Sequence, residues 1–89
     1  MKTAKHLGTI SILIKDRQLH VPEVQKLLTD NSDMIIARLG VNVERKCSSG
    51  CIGLITLTVE GSNADINNLT KKIDKLYGIV AKSNILTKN

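Results

Sequence analysis

The sequence predicts a small α+β domain whose elements follow the order β-α-β-β-α-β. Three observations support this prediction: alternating apolar residues on both sides of a polar loop at 44–50, a helical apolar stripe after Gly61, and a length of 89 residues. Two runs of period two around a Gly-containing loop are typical of a β-hairpin. This order predicts a four-stranded antiparallel sheet with both helices on one face and the first and third strands central. We expect residues 1–89 to form a single domain.

The first strand and first helix are separated by a short polar break. Residues 7–15 read as the strand, because Ile10, Ile12 and Ile14 alternate along one face. Residues 16–20 form the break, and Pro22 suits the first helical position, where its missing N–H costs nothing. The apolar stripe of this helix is formed by Val21, Val24, Leu27 and Leu28.

The hairpin between residues 34 and 60 supplies the second and third strands. We expect one face of the second strand to be formed by Ile35, Ala37, Leu39, Val41 and Val43. The corresponding face of the third strand is formed by Ile55, Leu57 and Val59. The β-branched residues in both runs favour a pleated, half-buried surface.

The opposite sheet face is mixed in polarity. Its predicted residues are Leu7, Thr9, Ser11, Leu13, Met34, Ile36, Arg38, Ile52, Leu54, Thr56 and Thr58. This mixture is too apolar to remain in water and contains too much Ser and Thr for a closed core. Because a large exposed apolar patch generally marks an interface, we expect a homo-oligomer, either a homodimer or a homotetramer, rather than a monomer. Its sheets would pack face to face or continue edge to edge.

The second helix carries the clearest helical pattern of the chain. Ser62 is placed to cap its free N–H groups, and Asp65 follows three residues later, as in a variant of the capping box. The apolar stripe is formed by Ile66, Leu69, Ile73 and Leu76. The last strand is predicted over residues 79–87.

Composition and charge exclude several classes of function. The formal net charge of +5 is spread along the chain, and Tyr77 is the only aromatic residue. An RNA-recognition module of the same strand order needs aromatic side chains on its central strands to stack bases. No apolar run is long enough to span a membrane, and no signal peptide is recognisable, so a cytoplasmic protein without membrane association is expected.

Cys47 and Cys51 lie at the predicted hairpin tip. Arg45 and Lys46 beside Cys47 favour its thiolate, which would suit redox sensing or capture of a soft metal. Two sulfurs do not fill a tetrahedral metal site, so further ligands would have to come from His6, His20 or a second subunit. The alternative is a pair of incidental loop cysteines.

Four charged or titratable residues are candidates for ligand binding. Asp16, Arg17 and His20 lie in the connection between the first strand and the first helix, where modules of this topology can form a crevice with a second subunit. Arg38 is the one charge in an apolar strand, placed to bind an anion at a subunit boundary or to extend to the sheet edge. The alternative for the first three is a solvated charged turn.

The chain also resembles the family of iron-only hydrogenase system regulators, which have an ACT-like, ferredoxin-like fold. The resemblance extends from about His6 to Lys88, and its most telling segment is residues 36–41, Ile-Ala-Arg-Leu-Gly-Val. It implies a non-enzymatic transcriptional regulator that forms a dimer or tetramer and is connected to iron–sulfur or hydrogenase metabolism. The sequence contains no helix-turn-helix or ribbon arm, so a role in transcription would act through a partner protein.

Two functions are therefore expected, in order of preference. The first is a regulatory module that binds a small effector at a subunit interface through Asp16, Arg17, His20 and Arg38. The second is a redox or metal sensor that acts through Cys47 and Cys51. An acylphosphatase-type enzyme shares the strand order, but residues 16–18 are too acidic and too short for its anion cradle. The sequence assigns no cofactor.

Overall fold

The computed structural model describes residues 5–15, 17–43 and 52–87. These residues form β1 (His6–Ile14), α1 (Arg17–Asp30), a 3₁₀ turn (Ser32–Met34), β2 (Ile35–Asn42), β3 (Gly53–Gly61), α2 (Asn63–Asp74) and β4 (Ile79–Ile85). The strands make an antiparallel sheet in the order β2-β3-β1-β4. The predicted element order, antiparallel sheet and central positions of the first and third strands are confirmed.

The core lies between the sheet and the two helices. The sheet contributes alternate residues of β1, β3 and β4, namely Ile10, Ile12, Ile14, Ile55, Leu57, Val59, Ile79 and Ala81. The helices contribute Val24, Leu28, Ile66, Leu69 and Ile73. Because both helices bury their apolar stripes against the same sheet face, the prediction that they share one face is confirmed. Apolar burial of this kind is the dominant favourable term in folding.

The first helix is longer than predicted. It begins at Arg17 rather than at Pro22, so Pro22 lies inside it. Pro22 removes the backbone hydrogen bond to the carbonyl of Gln18. This bond lies near the N-terminus of the helix, so the rest of the helix keeps its hydrogen bonds. Arg and Gln at positions 17 and 18 are good helix formers, and the helix therefore extends through the segment that was predicted as a polar break.

A β-bulge reverses the faces of β2. Ile35 is opposite Val59, but Ala37 is opposite Thr58, so that one extra residue is inserted at Ile36. Beyond the bulge, Arg38 is opposite the buried Leu57 and lies on the helix side of the sheet.

The prediction for the faces of the second strand is therefore wrong. Ala37, Leu39 and Val41 point away from the helices, since they pair with residues of the outer face. Met34 packs against the core instead of facing outward. The strand does alternate, but a bulge shifts the face by one residue and carries no strong sequence signal.

The two ends of α2 are held by side-chain hydrogen bonds. At its start, the Ser62 hydroxyl accepts the N–H of Asp65 at 3.0 Å, which confirms the predicted cap. At its end, the carboxylate of Asp74 accepts the N–H of Ala81 in β4 at 2.9 Å. The second bond joins the helix to the edge strand of the sheet.

Candidate functional site: the groove between α1 and β2

An open groove lies on the helix side of the sheet, between the C-terminal half of α1 and edge strand β2. Its larger part encloses about 420 Å³ and is lined by apolar residues of both elements together with Thr29, Ser32 and Arg38. A smaller part of about 250 Å³ is lined by Gln25, Leu28, Arg38, Gly40 and Ile55. Leu28 and Arg38 line both parts, so the two are adjacent.

The groove exists because β2 offers no large apolar side chain for α1 to cover at this point. On the helix side, Arg38 and Gly40 follow one another along the strand. Gly40 leaves open space, since an added Cβ would meet only the Cγ1 of Ile55, at 3.7 Å. Val24 and Leu28 are buried in the core, and the described residues leave the outer margin of the sheet uncovered.

Arg38 is the charged group of the groove. Its side chain is exposed, and within the described part of the chain it forms no hydrogen bond or ion pair. Among the residues that the structure describes, those that line the two parts of the groove include no Asp or Glu. A guanidinium presents a planar fork of donors that matches carboxylate and phosphate groups, so the groove offers an uncompensated positive charge to an anion.

The remaining groups of the lining suit a ligand that combines an anion with an apolar part. Leu28, Ile35 and Ile36 provide an apolar wall, while the hydroxyls of Thr29 and Ser32 can donate or accept hydrogen bonds. Few polar groups set in an apolar cleft are typical of small-molecule sites. Among residues 5–15, 17–43 and 52–87, no group of three or more His, Cys, Asp or Glu residues is arranged to hold a metal ion.

The structure places the predicted site residues in different positions. Arg38 lies in the groove. Arg17 and His20 belong to the first turn of α1, whereas the groove begins at Gln25, more than one helical turn further along. Asp16, Cys47 and Cys51 lie outside the described residues.

Sequence reasoning missed the contribution of α1 to the groove. Gln25, Leu28 and Thr29 are spaced by three residues and one residue, which places them along one side of α1, and Ser32 follows in the 3₁₀ turn. Gln25 and Thr29 add polar groups beside the apolar stripe at Leu28, and this spacing was the available signal. The residues of β2 that face this side of α1 could not be predicted, because the bulge changes the face on which they lie.

The outer face of the sheet, defined here as the face opposite the helices, has its polarity arranged in rows. One row is entirely aliphatic and consists of Val41, Leu54, Leu13 and Val80. The next two rows are largely polar and consist of Leu39, Thr56, Ser11 and Lys82, followed by Ala37, Thr58, Thr9 and Asn84. Of the β2 residues on this face, Leu39 is 66% exposed and Val41 is 45% exposed.

None of the helices in the described residues is long and apolar enough to cross a membrane.

Comparisons with known proteins cover nearly the whole chain. The family model TM1266-like, described as "Iron-only hydrogenase system regulator, putative", matches residues 6–83. Protein TM1266 from Thermotoga maritima is 25% identical in sequence, with a TM-score of 0.83, and the match covers 94% of this chain and 100% of that protein. No curated protein sequence matches the chain.

More distant structures share the fold. CPII, a nitrogen regulatory PII-like protein from Thiomonas intermedia, has a TM-score of 0.56 at 14% identity, over 98% of this chain and 100% of that one. A "putative PII-like signaling protein" from Thermus thermophilus has a TM-score of 0.56 at 8% identity, over 94% of this chain and 91% of that one. The chain is thus similar to PII-like proteins in architecture.

Proposed function

The chain belongs to the TM1266-like family of iron-only hydrogenase system regulators, and from this premise we propose that it is a non-enzymatic regulatory module that binds a small anionic effector. The effector occupies the groove between α1 and β2, where subunits meet, and its negative group contacts Arg38. The observation that carries this proposal is the exposed Arg38 guanidinium in a groove whose lining, as far as the described residues form it, includes no acidic residue.

The family and the fold support a regulatory role rather than catalysis. The family description refers to a regulator, and the PII-like structures that share the fold are described as regulatory or signalling proteins. In the proposed role, effector binding changes how the module meets a partner protein, and transcription responds through that partner. Asp16, Arg17 and His20 remain candidate contacts to the same effector.

A thermal-shift screen tests this proposal. The panel contains nucleotides, amino acids, carboxylic acids and metal ions, and it includes ADP, AMP and bicarbonate, which are bound in the PII-like protein from Thiomonas. A ligand at a hundredfold excess over its Kd adds about 2.7 kcal/mol to the free energy of unfolding. For a domain of this size, that corresponds to a rise in Tm of roughly 10–20 °C.

The Arg38→Gln variant is expected to lose the shift produced by an anionic ligand. Lys82→Gln is the matched control, because Lys82 is an exposed cation on the outer face of the sheet, opposite the groove. A shift that is equal in wild type, Arg38→Gln and Lys82→Gln would place the ligand elsewhere. No shift with any anion would contradict the proposed function.

No observation on the described residues favours the alternative role of Cys47 and Cys51 in redox or metal sensing.

A further inference from the structure

The two edge strands of the sheet differ in how their outward backbone groups are satisfied. The N–H of Leu86 bonds to Leu7, and the N–H of Lys15 bonds to Gly78. Because bonding alternates along an antiparallel ladder, Ala81 of β4 and its partner Ile12 form a non-hydrogen-bonded pair, and the backbone groups of Ala81 point away from β1. Its outward N–H is taken by the carboxylate of Asp74. The N–H of Ile79 is likewise bonded, to the carbonyl of Leu76. Two of the outward N–H groups of β4 are therefore occupied by α2 and the turn that follows it.

The β2 edge has no comparable cover within the described residues. Val43 donates its N–H to Ile52 of the neighbouring strand. Because bonding alternates along an antiparallel ladder, residues 37, 39, 41 and 43 point their backbone groups at β3. The backbone groups of Arg38, Gly40 and Asn42 consequently point away from the sheet. An uncovered edge of this kind is a template for another strand.

The regular part of β2 is suited to pairing with a copy of itself. It extends from Ala37, just after the bulge, to Val43, and its midpoint is Gly40. Antiparallel pairing centred on Gly40 matches Arg38 with Asn42 of the second copy and makes about six backbone hydrogen bonds. It also covers Leu39 with Val41 of the second copy, and these are exposed by 66% and 45% in the single chain. Centring on Arg38 instead would bring two guanidinium groups face to face.

From these observations we propose that two copies pair through β2 about a two-fold axis at Gly40, and that each copy completes the other's groove with its Arg38. The proposal deepens the proposed function, on which its ligand part rests. Both Gly40 residues lie on the helix side, where neither has a side chain, so the two 250 Å³ compartments meet across the axis. The two Arg38 Cα atoms lie about 15 Å apart, given four residues of strand at about 3.4 Å each and about 5.5 Å between the two strands.

The composite site fits a ligand with at least two negative charges. Two guanidinium groups converge on it from opposite sides, and the described residues of the groove lining include no acid to neutralise them. A single copy supplies only one of these cations. We therefore assign the site to a phosphorylated or polycarboxylate effector, and binding of this effector favours the paired state.

Cysteine pairing tests the register directly. Leu39→Cys and Val41→Cys are made separately in a Cys47→Ser/Cys51→Ser background, mixed under reducing conditions and then oxidised with diamide. The proposed register places position 39 of one copy directly opposite position 41 of the other, within the roughly 4.4–6.8 Å between Cα atoms that a disulfide requires. Like positions are about 8 Å apart and are too distant. A covalent dimer is therefore expected in the mixture and not in either variant alone.

Each other outcome of this experiment overturns the proposed register. A dimer of Leu39→Cys alone would centre the pairing on Leu39, and a dimer of Val41→Cys alone would centre it on Val41. No covalent dimer in any sample would remove β2 pairing altogether. Both positions are exposed on the outer face, so the variants are expected to fold as the parent does.

Sedimentation with pyrophosphate tests the composite site. Pyrophosphate is expected to lower the dimer dissociation constant of the wild type at least tenfold and to leave that of Arg38→Gln unchanged. If pyrophosphate binds but the constant does not move, the site lies within one copy, and the proposed function survives without this inference. If pyrophosphate does not bind a protein that cross-links as expected, the composite anion site is wrong while the pairing stands.

Discussion

Gly8 lies in β1 close to the backbone of β4, and a methyl group there has no space. It is opposite Val59 on one side and Ile85 on the other. A Cβ added at Gly8 would lie 2.7 Å from the carbonyl oxygen of Asn84 and 3.1 Å from the Cα of Ile85. Both are backbone atoms, so the contact cannot be relieved by turning a side chain. Gly8→Ala therefore forces the two strands apart.

The magnitude follows from two opposing terms. Overpacking that shifts the backbone costs about 1–3 kcal/mol. Replacing Gly by Ala restricts the unfolded chain, which returns about 0.4–1 kcal/mol. The net loss in free energy of unfolding is about 1–2 kcal/mol, which corresponds to a fall in Tm of roughly 5–15 °C for a domain of this size.

Urea unfolding of two glycine variants measures this effect. Gly61→Ala is the matched control, because the nearest neighbour of its added Cβ is a side-chain atom at 3.5 Å, an ordinary contact distance. We expect the control to lose no stability, since Gly→Ala at an unstrained position adds about 0.4–1 kcal/mol. If Gly8→Ala is as stable as this control, the close approach of β1 and β4 is not as described.

Three further substitutions probe other parts of the fold. Leu57→Ala removes a fully buried side chain from central strand β3. It is expected to lower the free energy of unfolding in urea by about 2–5 kcal/mol, and a loss below about 1 kcal/mol would contradict the position of the core. Asp74→Ala leaves the N–H of Ala81 without its acceptor and should cost about 1–3 kcal/mol, whereas Asp74→Asn retains an oxygen and should cost less. Ser62→Ala removes the cap of α2 and is expected to lower stability by about 1 kcal/mol, with Ser62→Asp restoring most of it.

The features that follow from periodicity could be predicted from the sequence. The alternation of Ile10, Ile12 and Ile14 and the helical stripe from Ile66 to Ile73 each match a single regular geometry, and both are buried as expected. Capping by Ser62 depends on neighbours within one turn, so it too was predictable. These local patterns determined the order of the elements and the composition of the core.

The candidate site could be predicted only in part, because it depends on contacts between distant segments. Arg38 was identified as an unusual charge in an apolar strand. The prediction of the sheet face on which it lies was wrong, since the bulge at Ile36 moves every later residue of β2 to the opposite face. The groove itself arises where α1 passes beside β2, and nothing local to either segment specifies the space between them. Predictions for Asp16, Cys47 and Cys51 lie outside the described residues and stay predictions.

The bond from Ala81 to Asp74 has a consequence for how far strand addition can continue. Two copies that join through β2 present β4 at each end of the enlarged sheet, where the outward N–H groups of Ile79 and Ala81 are already bonded. A further copy would find fewer donors to pair with at this edge, whereas a sheet with two open margins can grow into a ribbon. The Asp74 carboxylate therefore opposes growth of the sheet beyond the pair.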